Sequence, residues 1–133
     1  MKKFHEIDMS DYDIGKYEAL ELKYFCLTYP DKEKRLNILK AYDELNDVQT
    51  EEYERLDKDI KAVHTAVKIA TGAQSGLYEP LLRNLTRNES INKMPCGKNQ
   101  AYTLRKRAFY ILKKIKMGKK GHHFSDKMEM ESK

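Results

Sequence analysis

The segment from residue 98 onward begins with three polar side chains of the types that proteins use to contact nucleic acids. Lys98, Asn99 and Gln100 stand together at its start. Lysine can donate hydrogen bonds to guanine acceptors, and asparagine or glutamine can pair bidentately with adenine. If a helix starts here, these side chains lie on its first turn, which also presents free backbone N–H groups to a phosphate.

Further candidate contacts follow along the same segment. Thr103, Lys106 and Arg107 come one to two turns later, where a helix lying on a duplex can reach phosphates or more bases. The lysines near residue 113 add attraction that does not depend on base sequence. We therefore predict a DNA-contacting set of Lys98, Asn99, Gln100, Tyr102, Thr103, Lys106, Arg107 and Lys113. Ordinary helix-start residues and a solvated lysine-rich helix end are the alternative interpretation.

Charge is distributed unevenly along the chain. The whole sequence has a net charge of +5, but residues 83–125 hold 12 basic side chains and one acidic side chain. Residues 1–82 hold 12 basic and 17 acidic side chains. The basic segment therefore predicts a polyanionic partner. Attraction between the two halves of the chain is the alternative explanation.

Apolar spacing predicts helices throughout the first half of the chain. The first helix is expected to begin after Asp13 as N-cap. Pro30 is expected to break it and to occupy the first turn of a second helix that ends near Leu45. The predicted inner stripes are Tyr17, Leu20, Tyr24 and Leu27 in the first helix, widened by Leu22 and Phe25, and Leu36, Leu39, Tyr42 and Leu45 in the second.

The most regular stripe of the chain comes next. It comprises Tyr53, Leu56, Ile60, Val63, Val67 and Ala70, at alternating steps of three and four residues. This spacing is that of a heptad repeat. It is compatible with an antiparallel hairpin between residues 16–45 and 49–70, and also with a parallel coiled coil that joins two copies. A homodimer through residues 16–70 is therefore one prediction.

The C-terminal half predicts three short helices after a small, polar hinge at residues 71–76. Thr86 and Glu89 match a capping box for the second of these helices, which Pro95 would end. Gly97 can supply the tight turn before the third helix, which is expected to span residues 98–116. The predicted inner stripe of this last helix is Ala101, Leu104, Ala108, Ile111 or Leu112, and Ile115.

These elements predict an all-α fold, with a long N-terminal helical hairpin or coiled coil followed by a C-terminal helix-turn-helix bundle. We expect a hairpin or oligomerisation region over residues 1–72, a DNA-binding domain over residues 73–117 and a disordered polar tail over residues 118–133. A helix-turn-helix places its last helix in the major groove of duplex DNA. Double-stranded DNA is therefore the expected partner.

Several other classes of protein do not fit the sequence. No apolar run approaches the roughly 18 residues that a membrane span needs. Neither Cys26 nor Cys96 has a second cysteine or a histidine at ligand spacing, so we expect no metal site. No catalytic constellation and no phosphate-binding glycine loop is present, so we expect neither enzyme activity nor a cofactor. The start of the chain has no apolar signal region, which favours a cytoplasmic protein.

Two stretches resemble small regulators from phages and prophages of Gram-positive bacteria, of the ArpU and RinA type. They are YDIGKYEALELKYFCLTYPDKEKRL and LYEPLLRNLTRNESINKMPCGKNQAYTLRKRAFYILKK, in which MPCG precedes an aromatic-rich basic helix. The resemblance covers about residues 12–45 and 77–116. It implies a helix-turn-helix similar to that of sigma factors, with the helix from Lys98 reading promoter DNA. It also implies contact with RNA polymerase inside a bacterial host cell.

Two other functions remain open from the sequence. A phage packaging or assembly adaptor, similar to a small terminase subunit, would also carry a helix-turn-helix and a helical oligomerisation segment. A helical interaction protein would use its basic half to bind an acidic protein partner instead of DNA.

Overall fold

The fold is all-α, as predicted. A computed structural model describes residues 14–72 and 74–121, and within them the chain forms five α-helices and one 3-10 turn. The helices are α1 (Lys16–Leu27), α2 (Tyr29–Lys40), α3 (Asp47–Thr71), α4 (Ser75–Arg87) and α5 (Lys98–Gly121), with the 3-10 turn at Ile91–Lys93. None of the helices in this part of the chain is long and apolar enough to cross a membrane.

Helix α3 is the central element and has well-defined ends. At its start, the Gln49 N–H donates to Asn46 Oδ1 at 2.8 Å and the Asn46 N–H donates to Gln49 Oε1 at 3.0 Å. These two bonds form a capping box, which satisfies backbone donors that the first turn leaves free. At its end, Gly72 adopts a φ of +61°, which a residue without a side chain adopts readily.

The stripe predicted for α3 is confirmed as a packing surface. Leu56, Ile60, Val63, Val67 and Ala70 are buried, and Tyr53 is half-buried against them. Helix α3 packs against α2, α4 and α5, so the stripe is filled by helices of the same chain. A parallel coiled coil through this stripe would have to displace those helices.

Helices α2 and α3 run antiparallel, and three polar contacts follow their length. Tyr29 contacts His64, Lys32 pairs with Asp59 at 3.1 Å, and Arg35 holds Glu52 through two bonds of 3.0 and 2.9 Å. Helix α2 begins beside Pro30, which lies in its first turn as predicted. It ends at Lys40, so the two apolar residues predicted to extend its stripe, Tyr42 and Leu45, lie beyond the helix.

The inner stripe predicted for α1 is wrong at three positions. Tyr17, Leu20 and Tyr24 are exposed, whereas Leu22, which was predicted to widen the stripe, and Cys26 are buried in the core. Helix α1 packs against α4 and α5 through the side that carries Leu22 and Cys26. Both sides of α1 carry apolar residues, so their spacing alone does not show which side is buried. Gly15 is the N-cap, and the predicted cap, Asp13, lies outside the described residues.

Helix α4 begins within the predicted hinge and extends past the predicted cap, Thr86. It starts at Ser75 and carries Pro80 in its interior. Thr86 does not cap a following helix, because it lies within α4, where its Oγ1 donates to the Leu82 carbonyl at 2.7 Å. Asn88, with a φ of +54°, ends α4 instead.

The helix predicted between Thr86 and Pro95 is only the 3-10 turn Ile91–Lys93, capped by Ser90. The predicted motif of two helices joined by a tight turn is therefore not formed there. Helices α4 and α5 are joined by residues 88–97, a longer connection with one helical turn inside it. Met94 from this connection is buried in the core, which ties the connection to the helices.

Helix α5 packs through the side that its sequence predicts. Ala101, Leu104, Ala108, Ile111 and Leu112 are buried, and Ile115 is half-buried. The helix runs on to Gly121, beyond the predicted end at residue 116, and the rest of the predicted tail lies outside the described residues. The core residues of α1 to α5 belong to one apolar cluster, which spans the predicted boundary near residue 72.

Replacing Val67 by Asp should unfold the chain. Val67 is fully buried on α3, and an unpaired buried carboxylate costs several kcal/mol. Val48 lies in the first turn of the same helix and is 75% exposed, so Val48→Asp is the matched control. We expect Val67→Asp to lose most of the helical circular dichroism signal at 222 nm and Val48→Asp to keep it. Retained helicity in Val67→Asp would contradict the packing of α3.

The buried thiol of Cys26 should make the protein less stable in alkali. Burial raises its pKa from 9.0 to about 12. In the unfolded chain the thiol ionises from about pH 9, while in the folded chain it keeps its proton, so the free energy of unfolding falls as pH rises from about 9 to about 12. Urea unfolding at several pH values should show a shallower fall for Cys26→Ala than for Cys96→Ala. Equal slopes would contradict this role of Cys26.

Candidate nucleic-acid interface

The first turn of α5 is the exposed part of the predicted site. Lys98, Asn99 and Gln100 are all exposed. The Ala101 N–H donates to the Gly97 carbonyl at 2.9 Å, which is the first bond of the helix. The backbone N–H groups of residues 98–100 therefore have no partner in the preceding turn of the helix. This turn combines a positive dipole end, one cation and two amide side chains.

A hydrogen-bond chain joins Arg105 of α5 to α4 and to the connection that follows α4. Arg105 Nη1 donates to Asn84 Oδ1 at 2.7 Å, and Asn84 Nδ2 donates to the Glu89 carbonyl at 2.8 Å. Burial lowers the pKa of the Arg105 guanidinium. Arginine nevertheless remains charged in proteins, so Arg105 needs these partners inside the fold. Arg105 thus links α5 to α4 and, through Asn84, to the connection that follows α4.

A second set of bonds joins α5 to the end of α3. Arg107 Nη1 donates to the Ala70 carbonyl at 3.2 Å, although the residue as a whole is exposed. Gln100 Nε2 lies 3.5 Å from Gln74 Oε1. Thr103 is half-buried, and its Oγ1 donates to the Asn99 carbonyl at 2.9 Å. Gln100, Thr103 and Arg107 thus line one groove beside the α3–α4 connection.

The structure turns part of the predicted set inward. The Lys113 side chain is 11% exposed and pairs with Glu18 of α1 at 3.1 Å. Lys106 Nζ is buried, and Tyr102 is half-buried. Lys106 and Lys113 therefore do not join the exposed group at the start of α5. Lys113 pairs with an acidic residue of the N-terminal half. This contact is of the kind expected from the alternative explanation, in which the two halves of the chain attract one another.

Two further exposed cations, Arg87 and Lys93, precede α5 in the chain and lie outside the predicted set. Arg87 is in the last turn of α4, and Lys93 is on the 3-10 turn, which packs against α5. The excess of basic residues from residue 83 onward is the sequence feature that could have added Arg87 and Lys93 to the predicted set. We call Arg87, Lys93, Lys98, Asn99, Gln100 and Arg107 the basic end of the protein.

The cysteines and acidic residues of the described part of the chain do not form a metal-ligand cluster. No group of three or more His, Cys, Asp or Glu residues there could hold a metal ion. Cys26 and Cys96 are both free, and burial raises the pKa of each thiol. The basic end can donate hydrogen bonds and attract anions, which are binding functions.

Comparison of the chain with protein-family models, with curated proteins and with solved structures found no match. The resemblance to phage regulators therefore remains an expectation from the sequence. What supports a function is the geometry of the basic end.

Removing the Asn84 amide should destabilise the protein. Asn84→Ala deprives the buried Arg105 guanidinium of its acceptor and the Glu89 carbonyl of its donor. Hydrogen bonds to a charged group contribute about 1.5–3 kcal/mol each. We expect urea unfolding to show a loss of that size for Asn84→Ala. Asn37→Ala, at an exposed site on α2, should leave stability unchanged. Equal stability of the two variants would contradict the proposed role of the chain from Arg105 to Glu89.

Proposed function

We propose that this protein binds duplex DNA through its basic end and regulates transcription from phage-type promoters. The observation that supports this proposal is the exposed first turn of α5. There Lys98, Asn99 and Gln100 project from a helix whose other side is buried in the core. In helix-turn-helix proteins, residues near the start of the recognition helix contact base edges.

The residue types at the basic end divide between two roles. Asn99 and Gln100 can read adenine in the major groove, because their amides donate and accept at the same time. Arg87, Lys93 and Lys98 can hold phosphates, which positions the protein without reading sequence. Arg107 is anchored by its bond to Ala70, so its remaining N–H groups are held in a defined place.

The connection before α5 departs from a short helix-turn-helix. Its middle helix is one 3-10 turn, so α4 is the nearest full helix before α5. The proposal therefore requires entry of the first turns of α5 into the groove, and not insertion of its whole length. This requirement agrees with the burial of the residues further along α5. Half-buried there are Tyr102, Thr103, Lys106 and Tyr110.

The resemblance to small phage regulators adds the finer parts of the proposal. It favours promoter DNA as the target and RNA polymerase as a second partner. A packaging or assembly adaptor would use the same basic end. The size of the protein in solution distinguishes a regulator from an adaptor. An adaptor of the terminase type forms a ring of many subunits, whereas a regulator is expected to be a monomer or a dimer.

Selection of bound fragments from a random duplex library, followed by binding titrations, tests the proposal. We expect Lys98→Ala to weaken binding and to lower the slope of log affinity against log salt by about one unit, if Lys98 contacts a phosphate. Lys34→Ala removes the same charge from an exposed site on α2 and should change neither quantity. Equal effects of the two variants would contradict the placement of the interface.

Asn99→Ala and Gln100→Ala test the reading of bases. Each should reduce the preference for the selected duplex by a factor of about 5 to 150, since one good contact contributes about 1–3 kcal/mol of discrimination. Binding to an unrelated duplex should change little. Equal loss on both duplexes would argue against base reading, and no binding to any duplex at low salt would contradict the proposed function.

A further inference from the structure

Helix α1 carries apolar side chains on two opposite sides. One side places Leu22 and Cys26 in the core. The other side presents Tyr17, Leu20 and Tyr24, which are 75%, 41% and 59% exposed. A helix that is apolar on both sides is normally buried on both sides. The outer side of α1 is therefore a candidate interaction surface.

The exposed residues form one continuous surface, which we call the α1 surface. It consists of Tyr17, Leu20, Glu21, Tyr24, Lys32 and Lys116 around the ring of Phe25. Lys32 Nζ and Lys116 Nζ lie 4.0 and 4.2 Å from the centroid of that ring. Cation–π contacts of this kind hold Phe25 in place and connect α1, α2 and α5 beneath the surface.

The charges on the α1 surface have both signs. Lys32 and Lys116 lie at one edge, Lys16 lies beside Tyr17, and Glu21 is exposed between the two tyrosines. An interface between two identical copies uses the same patch twice, so it must contain groups that attract one another. The α1 surface meets this condition. A partner with charge of one sign would be repelled by part of it.

The area of the α1 surface is that of a small interface. At about 200 Å² for each aromatic side chain, the exposed parts of Tyr17 and Tyr24 provide roughly 270 Å² per copy. Two copies would bury about 540 Å² of tyrosine surface, with a smaller share from Leu20 and the edges of the patch, so the interface is smaller than the roughly 1,200 Å² at which stable complexes begin. An interface of that size is expected to be weak, with a dissociation constant in the micromolar range or above.

We infer that a second copy of this chain covers the α1 surface, so that the protein forms a weak two-fold dimer. This dimer differs from a coiled coil through α3, whose apolar stripe is filled within one chain. It is also independent of DNA binding. Lys116 lies 18 residues beyond Lys98, or about 27 Å along α5 at 1.5 Å per residue, so the α1 surface and the basic end occupy different ends of that helix.

Sedimentation equilibrium of the full chain without DNA tests this inference. We expect the mass to rise from one copy towards two across the micromolar range. Tyr17→Ser combined with Tyr24→Ser should weaken the dimer at least about tenfold, while circular dichroism shows an unchanged fold. Tyr42→Ser, at a 44% exposed tyrosine beyond α2, is the matched control and should leave the dimer intact.

Three results would overturn the inference. The wild-type chain could stay a single copy at all concentrations, the double variant could dimerise as well as the wild type, or the control could lose the dimer equally. A failure of DNA binding would not affect these measurements, so the two proposals are tested separately.

Cross-linking identifies what covers the surface. Leu20 lies in the middle of the exposed stripe and therefore close to the two-fold axis. In a Cys96→Ser background, Leu20→Cys should form a disulfide between two copies under mild oxidation, whereas the background alone should not. A benzophenone amino acid at position 17 should link one copy to the α1 surface of the other. A link from that position to residues 1–13 or 122–133 of the same chain would overturn the inference.

Discussion

The burial of the apolar stripe of α3 determines the rest of the structure. Val63, Val67 and Ala70 are almost completely inaccessible to solvent, and three helices of the same chain cover them. Small buried residues on α5, such as Ala101 and Ala108, are compatible with a close approach of the two helices. Because α3 holds the inner side of α5, the start of α5 is fixed in space while its first turn stays in solvent.

The sequence predicted well those elements in which only one side of a helix is apolar. The stripes of α3 and α5 were identified correctly because their opposite sides are polar. In α1 both sides carry apolar residues, so spacing alone selected Tyr17, Leu20 and Tyr24, which are exposed. The choice between the two sides is made by contacts with α4 and α5, which a local pattern does not contain.

Short local motifs were less reliable than long periodic patterns. The pair Thr86 and Glu89 matched a capping box, but Thr86 lies inside α4 and Asn88 ends that helix in a left-handed conformation. For the candidate site, the exposed first turn of α5 was predicted from residue type and position. The inward placement of Lys113 was not, because its partner Glu18 is distant in sequence and comes close only after α1 packs on α5.

Helix α5 connects two surfaces that differ in chemistry. Its start carries the basic end, and its later part supports the α1 surface through Lys113 and Lys116. A dimer through α1 would give the molecule two basic ends related by a two-fold axis.

The most direct test of the account is a map of the amide chemical shifts of the ¹⁵N-labelled protein during titration with a short duplex at low salt. If the basic end binds DNA, the largest changes are expected at residues 98–100 and 107, and they should decrease as salt is added. Changes confined to α2 and the first half of α3, or no changes at any duplex concentration, would contradict it.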